Sequence, residues 1–454
     1  MRKLSILLAF LLLSASLFSQ EKKEQVKTGF NFGPLPAVGY SSDLGWHYGA
    51  LLDTYYYGDG SVYPDYKWMA KVEASWYSKG NSVYHLFYDS KYLIPGIRFS
   101  AAVSYFGNKT TQFFGFNGAH SVYVPELDRI QNGQGFYLMR RDIFRIATCF
   151  QGQFGDSHWS WAGGLSYYNI KTGHAENKGL AGYDKKSKTP ATDLSLYDLY
   201  VRNGIIPAAE ANGGQHLEAK FGVVYDTRDH ENNPSRGTNL EVYFYGSPDI
   251  ISRHNNSYLK LAVHFKQFFT LVPDRLVFGG HLAYQGLIAG NQPYYMLQTI
   301  QCINMKQNNT EGLGSTCTLR GTAANRLQGN SYAWSNFEFR WSFARFRLFK
   351  QNFILALNPF FDMGKIVKRY HTPEMSRLAT GPDSETIVAK TDNQVYKAKD
   401  FYNSLTSDKL HMGAGAGLHV IMNQNFNINF EFGKCFDKND GTALGINIGL
   451  NYIF

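Results

Sequence analysis

Arg320 and Asp362 are the residues whose types and spacing could most readily do chemistry. The chain reads Thr318-Leu319-Arg320-Gly321-Thr322 and, about forty residues on, Phe360-Phe361-Asp362-Met363-Gly364. A guanidinium taken out of water needs carboxylate acceptors. Asp362, in the second strand-like run after the Arg-Gly loop, supplies one. The chemistry this predicts is electrostatic: a plug-like loop folded back into a membrane barrel and held there by an ion pair.

Other reactive residue types fall into no catalytic or metal-binding pattern. There is no Gly-x-Ser-x-Gly and no His-Glu-x-x-His. His264 and His281 fall on the polar face of alternating runs, where isolated histidines are ordinary solvated neighbours. The chain is therefore expected not to be an enzyme, with no cofactor and no metal. Gly413, Gly415 and Gly417 recur at period two, which is one face of a strand against which something packs closely rather than a phosphate loop. Of the four cysteines, Cys149 and Cys435 lie in strand-like runs and read as small apolar residues. Cys302 and Cys317 flank a fourteen-residue segment just before Arg320. An oxidising compartment permits a bridge between them, and the sequence leaves bridged and unbridged forms open.

The elements that must position these residues are strands. Aromatics make up 16% of the 454 residues, with 44 Gly, 31 Tyr and 34 Phe, a composition rich in strand formers. Mean hydropathy is negative. Beyond the N-terminus no apolar run is long enough for a membrane helix. Alternation hides a barrel's membrane signal from such averages. Leu444, Ile446, Ile448, Leu450, Tyr452 and Phe454 fall on one face, and Gly445, Asn447, Gly449 and Asn451 on the other. Phe426, Ile428, Phe430 and Phe432 likewise oppose Asn427, Asn429 and Glu431, after a tight turn at Asn423-Gln424. Sixteen such runs are expected: 34–42, 45–56, 66–78, 81–90, 96–106, 134–150, 158–172, 215–226, 238–246, 255–269, 274–288, 331–344, 351–363, 411–422, 425–435 and 442–454.

A soluble sandwich also alternates. The length of these runs, the aromatics near their ends, and polar faces carrying Lys, Glu, His and Asn favour a membrane barrel. The longest connections, 107–133, 173–214, 289–330 and 364–410, all fall on one side, and the other side has mostly short turns. The predicted fold is all-β: a 16-stranded antiparallel transmembrane β-barrel over 34–454 with its sixth long-side loop in the lumen. Both termini are expected in the periplasm of a Gram-negative bacterium. Arg2, Lys3, the apolar run Leu4–Leu13 and the small residues to Ser19 predict a signal peptide over 1–19. Residues 20–33 form a short periplasmic segment, with no room for a periplasmic domain. Losing Arg2 and Lys3 takes the formal charge from +9 to +7. The charges are scattered, so no nucleic-acid partner is expected.

Four segments in order carry a family resemblance. Tyr225-Asp226-Thr227-Arg228-Asp229 with Pro234-Ser235-Arg236-Gly237, Leu319-Arg320-Gly321-Thr322, Asn336-Phe337-Glu338-Phe339-Arg340 and Phe360–Gly364 resemble the barrel of the Omp85 superfamily, the BamA/TamA-like surface antigens. The first segment corresponds to that family's periplasmic turn between strands eight and nine, placing Asp226, Arg228, Asp229, Arg236 and Gly237 there. A charged turn snorkelling at the interface is the plainer reading of Arg228 and Asp229. The resemblance implies that Arg320, beside Gly321, pairs with Glu338 and Asp362, close to Gly364. Leu319 and Thr322 depart from the family's Val-Arg-Gly-aromatic tip. The family's periplasmic POTRA modules are not expected here, so client capture would fall to separate periplasmic or surface subunits, with outer-membrane lipid including lipopolysaccharide as the surroundings.

Two functions compete. In the first, the chain is a transport or assembly barrel with a weak seam between its first and last strands. Pro34, Pro36 and Gly39 on one side would meet Gly449, Tyr452 and Phe454 on the other, and proline removes ladder donors. In the second, it is a passive pore or surface scaffold whose long loops bind a partner.

Overall fold

The computed structural model describes residues 26–41, 44–117, 123–128, 135–175, 195–251, 256–302, 312–314, 318–381, 386–388, 393–402, 408–424, 426–441 and 444–450. Among these residues the strands are β1 Phe30–Ser41, β2 Gly45–Tyr56, β3 Trp68–Tyr77, β4 Ser82–Ile94, β5 Ile97–Gln112, β6 Leu138–Gln153, β7 Trp159–His174, β8 Gly214–Asp226 and β9 Gly237–Ser247. There follow β10 Tyr258–Val272, β11 Leu276–Gly290, β12 Ser331–Leu348, β13 Gln351–Lys368, β14 Thr386–Val388, β15 Val395–Lys397, β16 His411–Met422, β17 Phe426–Cys435 and β18 Gly445–Leu450. Sixteen of them close into one antiparallel barrel in which β1 meets β18, while β14 and β15 pair apart as a small hairpin. No described helix is long and apolar enough to cross a membrane.

The period-two pattern decides which side each residue faces. Leu259, Leu282, Phe339, Leu357, Leu418 and Phe432 are exposed on the outer wall. The alternate residues of the same strands, Lys260, His281, Glu338, Asn358, His419 and Glu431, are buried. An apolar exterior and a polar interior are what lipid outside and a polar lumen require. Two-residue turns close several hairpins. At Phe349–Lys350 and Asn423–Gln424 both residues have positive φ, the primed-turn geometry that matches strand twist.

The boundaries differ from expectation mainly in length. β1 begins at Phe30 rather than at position 34, and β5, β12 and β13 run several residues further than their apolar runs. Hydrogen bonding to a neighbour extends a strand past the point where alternation stops being readable. The long connections also pack together. Phe113, Phe116, Phe136, Leu196, Leu199, Tyr200, Tyr294, Met375 and Phe401 share one aromatic core with the ends of β6 and β7. The short helix Leu196–Arg202 joins it, started by a capping box in which Ser195 accepts from the Asp198 amide. The long-loop end thus carries a built cap.

The signal-peptide segment, residues 20–25, Cys317, Tyr452 and Phe454 lie outside the described residues, and with them the question of a Cys302–Cys317 bridge that the sequence left open.

Candidate functional site

The chemistry-bearing residues converge where the β11–β12 connection meets the barrel wall. Alternation turns Glu338 of β12, Asp362 of β13 and Glu431 of β17 to the buried polar side, and antiparallel register brings them close. Asn336 faces Asp362, Asp362 faces Gly413, and Gly417 faces Glu431. Arg320 enters among them. Its Nε donates to Asp362 Oδ2 at 2.8 Å and its Nη2 to Asp362 Oδ1 at 2.9 Å, a bidentate pair. Its backbone N–H donates to the same carboxylate at 3.0 Å. Nη1 donates to Glu431 at 2.9 Å and to Glu338 at 3.2 Å. The guanidinium lies 3.6 Å from the ring centroid of Phe360. Glu338 also accepts from Arg340 Nε at 2.6 Å. Arg320 is 2% exposed, and one of its three acids and its aromatic floor lie beyond the two acids that the sequence singled out. Glu431 was readable only as one polar member of an alternating strand, and Phe360 only as an aromatic.

A surface of glycines lets the loop come this close. A Cβ at Gly413 would sit 2.6 Å from the Arg320 carbonyl oxygen, and one at Gly433 3.0 Å from the Gly321 amide. A Cβ at Gly445 would lie 3.3 Å from Gly321 Cα. Gly321 has φ +89°, and a side chain there would meet the Lys434 amide at 2.6 Å, so both conformation and space demand glycine. Gly364 gives room to Leu319, whose side chain would be 3.0 Å from an added Cβ. Leu319 packs with Leu313, Leu327, Tyr332, Trp334 and Ile366. Asn336 donates to Thr318 O at 2.6 Å, Ala323 N–H to Asp440 O at 2.9 Å, and Arg326 to Asn439 O at 2.8 Å. The period-two glycines of β16 are thus a landing face for backbone.

The β8–β9 turn is a second built feature. Asp229 accepts from the amides of His230 at 3.0 Å and Ser235 at 2.9 Å. Arg228 grips Asp226 through Nε at 2.9 Å and Nη2 at 2.6 Å and donates to Glu231 O at 3.2 Å. Arg236 has its amide on Asp229 at 3.3 Å, and Gly237 has φ +103°. This is more than a snorkelling turn. Glu231 reaches Arg98 of β5 at 2.9 Å, which in turn holds Asp89 of β4 at 2.8 Å. On the other side Asn233 donates to Gln424, in the β16–β17 turn, at 2.7 Å. The turn therefore spans the short-turn mouth. Burial pushes the Glu231 carboxyl up, but Arg98, Lys91 and Arg228 more than offset this and hold it well below the usual carboxylate range. Burial also raises Asp229, and its bonds from Ser235 and Arg236 outweigh this and lower it.

At the seam, the described register holds one pair, Ser41 opposite Asn447. Ser78 N–H donates to Trp46 O and Lys67 N–H to Tyr56 O, each at 2.8 Å, so even residues of β2 bond toward β3. The odd residues then bond toward β1, and their partners are Gly33, Leu35 and Ala37. The even positions of β1, Pro34 and Pro36 among them, point their backbone away from β2, to the seam side; in the Ser41–Asn447 register the two prolines fall opposite positions 454 and 452, which lie outside the described residues. Neither proline has an N–H to offer there. Gly39 approaches β18, its added Cβ falling 3.3 Å from Ile448 O, and Gly449 N–H is taken by Asn429 Oδ1 at 2.8 Å.

Residues 71–454 match the family model described as the Omp85 superfamily domain. No curated protein matches the chain. Among solved structures, BamA from Haemophilus ducreyi lacking POTRA domains 1–3 is 15% identical, covering 94% of this chain and 70% of its own, at a TM-score of 0.49. CdiB from Escherichia coli is 11% identical, covering 93% of this chain and 61% of its own, at a TM-score of 0.50. CdiB from Acinetobacter baumannii is 11% identical, covering 94% and 60%, at 0.45. At such identities the likeness is one of fold, and this chain spans about three fifths of either CdiB chain.

Proposed function

The chain belongs to the Omp85 superfamily, and on that premise we propose that it assembles or translocates envelope components through a seam between β1 and β18, acting with partner subunits. The short-turn end, with both termini, faces the periplasm in this reading, and the long-loop cap faces outward. What supports it is that Pro34 and Pro36 turn their backbone to the seam side of β1, where neither has an N–H to offer a partner strand. An edge so weakened can part and present backbone to an incoming strand.

In this reading Arg320 and its three acids pin the sixth loop inside the lumen, the role assigned to Gly321 and Gly364 being to let it fit. The β8–β9 turn obstructs the periplasmic mouth, and the aromatic cap covers the outer one. Both obstructions argue against a passive pore. The cap residues are mutually buried, which also argues against the long loops as a bare receptor surface.

A disulfide joining Ser41→Cys and Asn447→Cys tests the proposal. Residues opposite one another in an antiparallel pair lie about 4.5–5.5 Å apart, within disulfide reach. The oxidised barrel should fold and insert normally but fail to restore envelope integrity to cells lacking the protein, and a reductant should restore function. Wild-type complementation by the oxidised form would overturn the proposal.

A further inference from the structure

At the short-turn end, β12 outruns its neighbour. β11 begins at Leu276, opposite Trp341; beyond it, among the described residues, Ser342 N–H donates to Arg275 O and Arg345 Nη2 to Asp274 O, each at 2.7 Å, and no further backbone N–H of β12 is paired on that side. β12 nevertheless continues to Leu348, paired only with β13. Phe343–Leu348 is therefore an overhanging hairpin arm with one open side, about 20 Å long at the rise of a strand. The register slips between Ser342 and Ala344, a bulge that reverses which residues face which neighbour. Asn352 exchanges bonds with Asn423 of the β16–β17 turn, so the odd residues of β13 bond toward β12. Their partners are Ala344, Phe346 and Leu348. The backbone groups of Arg345 and Arg347 consequently point to the open side.

Two further observations mark this arm. The turn that ends it places Phe349 at φ +48° and leaves it 87% exposed, an unfavourable conformation and an unfavourable exposure for one bulky residue. Beside the arm runs a half-open groove of about 630 Å³ lined by Arg236, Phe269, Pro273, Asp274 and Arg345, among others. The side chains are two-faced. Arg345 and Arg347 lie on one face and Phe346 and Leu348 on the other, with Phe346 stacked on Phe353 at 5.3 Å. All four are exposed. Arg275 and Lys350 add to the positive charge around the arm.

We propose that the open edge of Phe343–Leu348 takes up an extended, acidic–apolar alternating segment of a partner protein as an added strand. Main-chain bonds to Arg345 and Arg347 would provide the pairing, as in β-strand addition generally. The acidic side chains would meet the two arginines, and the apolar ones would continue the Phe346–Leu348 face. A bulge and charged side chains are the usual means by which an edge avoids its own kind. Here the charge repels a second copy of the same edge and leaves an acidic strand attracted. The inference stands apart from the seam, since neither needs the other.

The test uses the full chain in phosphatidylethanolamine nanodiscs and fluorescent synthetic peptides of about ten residues alternating Glu with Val. Saturable binding is expected. It should weaken at least tenfold when Lys replaces Glu, and at least tenfold when alternate peptide amides are N-methylated, which blocks strand pairing and keeps the side chains. The double variant Arg345→Glu, Arg347→Glu should reverse the preference to the Lys peptide. Equal binding of the methylated peptide would overturn strand addition, as would no saturable binding. A fluorophore at position 349 buried in the bilayer, with peptide binding seen only in detergent, would assign the arm to the lipid surface and overturn the proposal as well.

Discussion

Arg320 shows how a single residue can hold a long connection in place. A buried guanidinium is costly unless every donor is met, and here acids on three strands meet it. Removing one acid leaves the cation under-compensated. Asp362→Asn is expected to lower stability by about 3–5 kcal/mol, read as the denaturant midpoint of the heat-modifiable band. Glu431→Gln removes a single-bond contact and should cost less. The β8–β9 turn makes a pH prediction. Glu231 and Asp229 have lowered carboxyl pKa values, so their stabilisation is complete above the ordinary carboxylate value near ~4 and is lost as pH falls below it. Once the intrinsic pH dependence of amide exchange is divided out, protection in 227–236 should fall below about pH 4 while protection in β8 and β9 stays high. Equal protection at pH 3 and pH 7 would contradict the assignment.

At the scale of elements, the glycines of β16, β17 and β18 and the loop backbone are one construction. Gly433→Leu places a side chain where the Arg320 carbonyl carbon lies 3.1 Å from a Cβ. The strand should still form, because its ladder is untouched, but the loop should be displaced. We expect a new protease cleavage near Arg320 or Arg326 in the variant and none in the parent. The strands themselves were legible because period-two alternation survives wherever one face meets lipid and the other polar side chains. β2 and β16 coincide with their apolar runs for this reason. The β14–β15 hairpin was not legible, since three-residue strands carry too little alternation to stand out from loop.

For the whole molecule, the proposed obstruction of both mouths predicts low conductance. In planar bilayers the intact chain should show at most small, brief openings. Deleting residues 318–322 should raise conductance several-fold, and a large steady conductance from the intact chain would contradict the occluded barrel. Packing of the long connections into one aromatic core decides this as much as the wall does. The second of the two competing sequence readings had those connections bind a partner, because nothing in a loop's own composition says which other loop it will meet.

Taken alone, the chain determined its strands, their inward and outward faces and the grouping of long and short connections on opposite ends; it offered Asp362 as a partner for Arg320, and the family resemblance added Glu338. All of these follow from local period or from a short motif. Only the tertiary structure decided that Glu431 and Phe360 complete the clamp, that the β8–β9 turn reaches Arg98 and Gln424, that Pro34 and Pro36 turn their backbone away from β2, and that β12 overhangs β11. Each depends on register and on closure of the sheet, which bring together residues far apart along the chain with no periodic signal to announce the contact.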